Sequence, residues 1–500
     1  MRVRDPHKKI NMKKKIVKIL MPVLMLAIFS GCEKMLEVTP QSSITEETYF
    51  KSEGDFEPYV TGIYSVMRGF VNNVTYGTER GEELVVASNA RFSTAWNHIL
   101  SPTTGALNYN GWYSAIGHCN LLLDKIRNFN FANTGNKSRI MAEAYALRAY
   151  FYFDLTKIIG DAPLMLVPIV DENVPLLPRA SSADVVKQIF SDLDSAILLM
   201  KGMPGFSASA YPSKYRFSYG AVQAMKADVK MWSAKVTGGG AAALNDALAA
   251  IAEVEGTGVR LNANFKDVTG LRAATNPEVV IAAYYNRDEL GGNYAVNALP
   301  FQALVTGALN LDSIPWAANS GNAQGAYQVS PLSRSHFSEN WADKRIPFTW
   351  VQQRSATSLG YFWITKYPGT KYSDDRFPDN DIILYRLADL LLLKAEAYAA
   401  LENAPECVKN LNLIRTRAGN PNYAGATDKI SLEREVLKER GRELFFENKR
   451  WFDLVRFHSG GSINVYTYVP NLIGKTTPIY WPLNATVLAN NPQLKQTAGY

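Results

Sequence analysis

The chain has 500 residues and carries 53 Lys and Arg against 46 Asp and Glu, a formal charge of +7 at pH 7. Eight of these basic residues and one of the acids precede Cys32, so a chain that starts at Cys32 carries 45 side chains of each sign. Such a neutral chain argues against nucleic acid as a partner, because nucleic-acid binding requires a basic face.

The first 31 residues have the pattern of a secretory signal. The basic block Lys13–Lys18 precedes the mostly apolar stretch Ile19–Phe29, and Ser30 and Gly31 lead into Cys32. This apolar stretch is shorter than the roughly 20 residues that a membrane-spanning helix needs. The order predicts a bacterial lipobox, in which Cys32 is acylated and becomes the first residue after cleavage. An ordinary signal peptide followed by an incidental cysteine is the alternative.

Cysteine usage excludes a scaffold built on disulfides, since only Cys119 and Cys407 follow Cys32. Both lie in apolar helical patterns and are expected to be packed thiols. A single bridge between them stays open.

Most of the chain after Cys32 predicts helices. Ser181 and Asp184 form a capping-box-like start, and apolar residues recur from there to Met200 at three- and four-residue steps. Similar stripes predict helices over 139–159, 220–236, 244–254 and 382–401. The last stripe leads through a short turn into "CVKNLNLIRTRAG", where Gly419 and Pro421 are expected to end a second helix. Helix pairs of this kind, with small residues on the first helix, are typical of tetratricopeptide repeats.

From about residue 260 to residue 381 the pattern becomes irregular. Gly, Pro, Asn and Ser are frequent, and only short runs such as "EVVIAAYY" predict strands. Aromatic side chains are dense in this region: Tyr284, Tyr285, Tyr294, Trp316, Tyr327, Trp341, Trp350 and Trp363. Long irregular segments inside compact proteins are usually functional. The sequence therefore predicts a helical scaffold that carries elaborate loops.

The charged stretch "LEREVLKERGRELFFENKRWFDLVRF" predicts one long structural helix. Opposite charges recur at a spacing of three residues, which stabilises a helix by a few tenths of a kcal/mol per pair. These pairs are Glu439–Arg442, Glu447–Arg450 and Asp453–Arg456.

A search for catalytic motifs finds no enzyme, and no metal or cofactor is expected. The five histidines are scattered without metal-ligand spacing, and "SDDRFPDND" lacks the spacing and glycine of a calcium loop. The "GKTT" sequence lacks the earlier glycine of a phosphate-binding loop and is interpreted as a turn. Glu82 and Glu83 are adjacent and point apart, so they are interpreted as a solvated or capping acid pair.

The ordered segments of the chain resemble one family. The opening "CEKMLEVTPQSSITEETYF" is followed by "GWYSAIGHCNLLLDKI" and "AEAYALRAYFYFDLTKIIGDAPL", and later by "LYRLADLLLLKAEAY" and "ERGRELFFENKRWFDLVRF". Together they resemble the SusD/RagB family of outer-membrane lipoproteins over essentially the whole chain after Cys32.

The resemblance implies a mainly α fold with four tetratricopeptide-like helix pairs, few short strands, and a loop-rich, aromatic-rich ligand-binding region. It also implies a non-catalytic lipoprotein at the cell surface. Such a protein captures oligosaccharides, or in some branches peptides, and delivers them to a SusC-like TonB-dependent β-barrel transporter in the outer membrane.

The predicted organisation has four parts. Residues 1–31 are the signal peptide, of which residues 1–11 are a mis-called start if translation begins at the more usual Met12. Residues 32–259 form an N-terminal helical region, 260–381 the loop-rich binding region, and 382–500 the C-terminal region. Residues 32–500 are expected to form one compact unit.

Ligand-binding residues are predicted among aromatic and polar side chains in irregular segments, because sugar C–H faces stack on aromatic rings and sugar hydroxyls need polar partners. The candidates are Arg80, Trp96, Asn97, Tyr285, Arg287 and Trp316. Trp112, Trp232 and Trp451 lie on helical stripes and are assigned to the core. Two alternatives stay open: a glycan-acting hydrolase on a helical scaffold, and a tetratricopeptide-type assembly scaffold without a ligand pocket.

Overall fold

Helices dominate the computed structural model, which describes residues 49–87, 93–169, 175–201, 213–289, 291–356 and 359–500. The signal segment and Cys32 lie outside the described residues. Ten helices of ten or more residues are described: α1 (Phe56–Val71), α2 (Asn110–Asn128), α3 (Thr134–Ile159), α4 (Ser182–Met200), α5 (Tyr219–Val236), α6 (Gly240–Glu255), α7 (Leu387–Ala400), α8 (Ala404–Arg417), α9 (Lys429–Glu443) and α10 (Arg450–Ser459). Shorter helices span Lys266–Gly270, Gln302–Val305, Pro331–Ser335, Val465–Tyr468 and Ala485–Asn490.

The strands are short and form antiparallel two-stranded ladders. They are β1 (Leu84–Val86), β2 (Val279–Ala283), β3 (Tyr327–Val329), β4 (Trp350–Arg354), β5 (Leu359–Ile364), β6 (Thr370–Lys371), β7 (Arg376–Phe377) and β8 (Ile382–Arg386). The ladders join β1 to β3, β2 to β8, β4 to β5 and β6 to β7. This architecture confirms the predicted mainly α fold with few short strands.

Successive helices pack as pairs: α1 with α2, α3 with α4, α5 with α6, and α7 with α8. Local capping explains where the helices begin, because the Ser181 hydroxyl accepts a hydrogen bond from the Asp184 backbone N–H, and Asn403 caps α8 in the same way. Ala395 and Ala397 on α7 are fully buried, so the small side chains allow the close approach that a tetratricopeptide-like pair requires.

The core contains the residues expected there. Trp112, Trp232 and Trp451 are buried, as predicted. Cys119 and Cys407 are buried free thiols, so no disulfide joins these two residues. Residues Ser52–Tyr500 form one compact unit. The predicted boundaries at 259 and 381 inside it stay predictions.

Two helix predictions were wrong in their extent. The stripe at 382–401 begins as strand β8, which pairs with β2, and becomes helical only at Leu387. The long charged helix is divided into α9 and α10, because Phe446 and Asn448 adopt left-handed backbone angles, with φ of 58° and 59°. Tyr294 stabilises this break by donating its hydroxyl to the Phe446 carbonyl at 2.8 Å.

The charged side chains of this region lie inside the protein rather than on a helix surface. Arg386 is fully buried and contacts Glu278, Glu443 and Glu447 at 2.6–2.7 Å. The predicted Glu439–Arg442 and Asp453–Arg456 pairs are present. The predicted Glu447–Arg450 pair was wrong, because the helix break separates the two residues and Arg450 binds Glu82 instead.

We call the cluster around Arg386 the buried ion network; its members are Glu278, Arg345, Lys366, Arg386, Arg417, Glu439, Glu443 and Glu447. Burial alone would raise the pKa of Glu443. Arg417, Arg386 and Arg345 nevertheless hold that pKa well below its ordinary value, so Glu443 is ionised inside the protein.

Candidate functional site

A cleft of about 410 Å³ opens where the segment that follows α1 meets the loop-rich region. Its lining residues are Thr75, Glu79, Val86, Ser93, Thr94, Ala95, Asn297, Gln324, Ala326 and Tyr327. We call it the loop-face cleft. A smaller cavity of about 90 Å³ lies among charged side chains of α3, α5 and α10. Ligand pockets usually measure about 300–1,000 Å³, which excludes the smaller cavity. Two other clefts, of about 510 and 380 Å³, also fall in this range, but the loop-face cleft takes the most lining residues from the loop-rich region and is therefore the candidate for an oligomeric ligand.

Backbone hydrogen bonds make the walls of the loop-face cleft rigid. The β1–β3 ladder places Val86 opposite Tyr327, and the Ala87 N–H extends it by donating to the Ala326 carbonyl at 2.8 Å. On the other side, the Ala326 N–H donates to the Asn297 carbonyl at 2.7 Å. The segment that precedes β3 is therefore held from two directions, which fixes the positions of its side chains.

Glu79 is the only carboxylate among the described lining residues. It is 7% exposed, and its two oxygens accept hydrogen bonds from the Ser93 hydroxyl, at 2.6 Å, and from the Tyr327 hydroxyl. Burial, together with Glu79, raises the pKa of Tyr327, so this hydroxyl keeps its proton. The Ser93 oxygen already accepts from the Trp96 N–H at 3.1 Å, so one lone pair of Ser93 and those of Tyr327 remain able to accept hydrogen bonds.

Two predicted residues, Trp96 and Asn97, lie on the segment that forms one wall of this cleft. Trp96 is half-buried, and its Nε1–H donates to the Leu84 carbonyl at 3.0 Å. The Asn97 amide donates to the Ser93 carbonyl at 2.8 Å. One hydrogen bond thus joins this wall to strand β1 and another joins two of its own residues, while Trp96 remains partly exposed.

Trp316 begins the loop that runs to the opposite wall at Gln324. The ring is half-buried and packs against the cluster of Val305, Ile314 and Trp363. Asp375 fixes the loop by accepting hydrogen bonds from the Ala318 and Asn319 N–H groups at 2.7 and 3.0 Å, and from the Asn322 amide at 3.1 Å.

Arg287 lies outside the cleft lining, on an exposed part of the loop region. Its guanidinium donates to Asp374 at 2.6 Å and stands 4.8 Å from the centroid of the Tyr372 ring. The neighbouring Asp375 holds the Trp316 loop, so Arg287 belongs to the same group of loops without lining the cleft.

Arg80 and Tyr285 are inaccessible in this structure. Arg80 is fully buried, donates to the Pro478 carbonyl at 2.8 Å, and stands 4.2 Å from the ring centroid of Trp451. Tyr285 is 2% exposed and donates its hydroxyl to the Arg68 carbonyl at 2.9 Å. Both side chains hold backbone together, which a sequence pattern of loop residues cannot distinguish from ligand binding.

Comparisons with known proteins agree with the fold. The SusD family model matches residues 338–500, and a family model described as "Starch-binding associating with outer membrane" matches residues 34–230. The SusD-like protein P38 of Formosa agariphila is 27% identical over an alignment of 535 positions, which covers 96% of this chain and 97% of that protein.

The chain belongs to the SusD family.

Two further relatives extend the comparison. The starch-binding protein SusD of Bacteroides thetaiotaomicron is 30% identical over 145 residues, which cover 26% of this chain and 24% of that protein. The crystal structure of a SusD superfamily protein from Bacteroides fragilis has a TM-score of 0.79 and 23% identity, covering 90% of this chain and 100% of that one. The predicted resemblance is therefore confirmed.

Sequence reasoning missed most of the polar lining of the cleft in this SusD-family chain. Tyr327 stood among the loop aromatics, but Glu79, Ser93, Asn297 and Gln324 carry no local signal. Glu79 directly precedes Arg80, and "TER" gives no indication that one side chain faces a cleft while the next is buried. The β1–β3 pairing and the hydrogen bond from the Ala326 N–H to the Asn297 carbonyl bring these distant segments together.

The acid pair after Arg80 was wrongly predicted to be solvated or capping. Glu82 and Glu83 are both buried. Glu82 accepts from Arg450 Nε at 2.7 Å, and Glu83 accepts from the Phe446 N–H at 3.3 Å. Burial raises the pKa of Glu83 to about 8.

In the described part of the SusD-family chain, no helix has both the length and the apolar character to cross a membrane.

Proposed function

We propose that this SusD-family protein is a non-catalytic lipoprotein of the cell surface that captures oligosaccharides in the loop-face cleft. The cleft is the observation that carries the proposal. It combines a carboxylate, hydroxyls and amides on rigid walls, and the half-buried Trp96 follows directly on the segment that forms one wall.

The chemistry of this lining suits a sugar. Each sugar hydroxyl both donates and accepts hydrogen bonds, and the cleft offers acceptor oxygens on Glu79, Ser93 and Tyr327 and donor amides on Asn297 and Gln324. The flat C–H face of a sugar ring stacks on an aromatic side chain, for which Trp96 and Trp316 are the proposed partners. The description of the matched N-terminal family model as starch-binding supports a carbohydrate as the ligand.

The proposal includes a lipid anchor on Cys32 and a SusC-like TonB-dependent barrel as the partner that receives the ligand. The family description as associating with the outer membrane supports the location. Because the chain after Cys32 is formally neutral, we expect the contact with the barrel to depend on shape and apolar area. Cys32→Ala should move the protein to the soluble fraction. A tag at Tyr500 should recover a large barrel from detergent extracts.

A glycan hydrolase is the second candidate, and the cleft favours it less. Such an enzyme uses two carboxylates that flank the scissile bond. The described lining supplies one, Glu79, whose two oxygens are already engaged. Incubation with the bound glycan should return it at unchanged length. An assembly scaffold, the third candidate, would bind no glycan at all.

Titration calorimetry with a panel of oligosaccharides tests the proposal. The double variant Asn297→Ala/Gln324→Ala removes two amides from the cleft and should lower the affinity for every active glycan about tenfold or more. The control Asn136→Ala/Asn245→Ala removes two exposed amides from α3 and α6 and should change nothing. Equal affinities for both double variants, or no binding to any glycan, would contradict the proposed site.

A further inference from the structure

A second cleft, of about 380 Å³, lies between α9 and the short helix Val465–Tyr468. Its lining residues are His336, Arg434, Leu437, Lys438, Ile463, Asn464, Thr467 and Tyr468. We call it the α9 cleft. It shares no lining residue with the loop-face cleft, and nothing in the proposed function uses it.

The α9 cleft presents hydrogen-bond donors. Arg434 donates Nε to the Ser462 carbonyl at 2.8 Å, which leaves its two terminal nitrogens for a ligand. Asn464 caps the short helix with its side-chain oxygen, so its amide nitrogen is the group left to donate. Tyr468 accepts from Arg450 at 3.3 Å and keeps its own proton for donation. Arg and Lys side chains carry no acceptor.

Positive charge in this cleft is incompletely balanced. Arg434 and Lys438 stand four residues apart on one face of α9, a spacing at which like charges repel. Among the described residues, the lining contains no carboxylate. Outside the lining, Glu339 stands 3.6 Å from Lys438 and is already bound by Arg415 and by Arg442, and Glu435 attracts Lys438 but is also bound by Arg415.

His336 forms the buried end of the cleft. It is 6% exposed, and its Nδ1 has no hydrogen-bond partner within the described chain. Burial and the neighbouring cations Arg450, Arg442 and Lys438 hold its pKa well below the ordinary value, so the ring is neutral. If Nδ1 carries no proton, its lone pair faces those cations, and this arrangement has a lower free energy than a buried Nδ1–H without an acceptor. The proton therefore resides on Nε2, which adds another donor to the lining.

We propose that the α9 cleft binds an oxyanion, a carboxylate or a sulfate group, through Arg434, Lys438, Asn464 and the Nε2–H of His336. The polar lining consists mainly of donors and cations, with the Thr467 hydroxyl oxygen as an acceptor, so it suits an oxyanion better than a ligand that carries only hydroxyls. Each oxygen of an oxyanion accepts several charge-assisted hydrogen bonds. Leu437 and Ile463 provide an apolar wall beside the donors. The group is carried by an acidic oligosaccharide or arrives as a free anion, and both sources share this chemistry.

Calorimetry at low ionic strength distinguishes the sources, because salt screens exposed charges. The probes are an oligogalacturonate, its methyl ester, and inorganic sulfate. In full-length protein, Arg434→Gln/Lys438→Gln should weaken oxyanion binding about tenfold or more. The methyl ester should not bind here. Binding of sulfate alone would assign the site to free anions, and binding of the oligogalacturonate to a glycan-borne carboxylate.

The matched control is Lys409→Gln/Lys429→Gln, which removes two positive charges from the exposed surface of α8 and α9. An equal loss in the control, or undiminished binding in the α9 variant, would overturn the proposal. A second measurement does not depend on variants that fold: sulfate should shift the imidazole signals of wild-type His336 in a carbon–proton correlation spectrum. Unshifted signals at saturating sulfate would also overturn it. Neutral-glycan affinity, measured in parallel, reports the loop-face cleft independently.

Discussion

The buried ion network and the loop-face cleft both use charged and polar side chains, but they use them in opposite ways. In the network, Arg386 is fully enclosed and three carboxylates complete its hydrogen bonds. In the cleft, Glu79 and Tyr327 satisfy each other, and the hydroxyl lone pairs and the amides of the walls remain for a ligand. The same residue types thus stabilise the interior in one place and remain available to a ligand in the other.

The most specific family motif lies outside the proposed binding site, and its buried charges give the reason. The "ERGRELFFENKRWFDLVRF" segment supplies Glu443 and Glu447, which enclose Arg386. It also supplies Arg450, which binds the buried carboxylate of Glu82. Such a network tolerates little change, because a charge that loses its partner in the interior is expensive. Fewer charged side chains in the loops around the cleft depend on a buried partner, so the sequence of these loops can change to suit a different ligand.

The largest expected effect is a loss of stability on breaking the network. Arg386→Met leaves Glu278, Glu443 and Glu447 without their shared cation and should lower the free energy of unfolding by about 3–5 kcal/mol. Urea denaturation measures it. Arg287→Met is the control from the loop region, since Arg287 binds Asp374 on the exposed surface, and its urea midpoint should stay near that of the wild type. Equal losses in both variants would remove the distinction between the two regions.

The next effect depends on pH and concerns Glu83. Burial raises its pKa from 4.5 to about 8. A raised folded-state pKa contributes stability that is present below 4.5 and is lost as the pH rises through 8. Glu83→Gln cannot ionise, so its stability relative to the wild type should increase as the pH rises from about 4.5 to about 8. Urea midpoints across this range provide the measurement.

Glu82→Gln is the matched control for the Glu83 prediction. It leaves the buried Arg450 guanidinium without its carboxylate and should therefore destabilise the protein at neutral pH. A Glu83→Gln curve that runs parallel to the wild type across the whole range would show that Glu83 ionises normally.

The fold was largely predictable from the sequence, whereas the site was predictable only in part. Helical periodicity identified α3 to α8, because apolar stripes depend on local spacing alone. The break between α9 and α10 was not visible, since it depends on Tyr294, which comes about 150 residues earlier and holds the Phe446 carbonyl. Of the predicted ligand-binding residues, Trp96 lies on the segment that forms one wall of the cleft, whereas Arg80 and Tyr285 are buried against partners that are distant in sequence, such as Pro478.

A smaller expected effect tests the exposed aromatic residues of the loop face. Trp96→Ala and Trp316→Ala each remove a ring that is half-buried, and each should lower glycan affinity about tenfold by loss of stacking. Calorimetry against the best glycan of the panel measures it. The control is Trp341→Ala, because Trp341 is 61% exposed and lies on neither of the segments 93–97 and 316–324 that lead into the walls of the loop-face cleft. Unchanged affinity in both test variants would show that the ligand binds elsewhere.

The smallest expected effect separates a buried loop aromatic from an accessible one. Tyr285 resembles Trp96 in sequence context, but its hydroxyl donates to the Arg68 carbonyl in α1. Tyr285→Phe removes that hydrogen bond and should lower the free energy of unfolding by about 1 kcal/mol, with glycan affinity unchanged. Thermal denaturation and calorimetry on the same preparation measure the two quantities. A loss of affinity without a loss of stability would mean that the hydroxyl reaches the ligand. Tyr285 would then be a ligand-binding residue like Trp96, and it would have to be counted with the loop face instead of the interior.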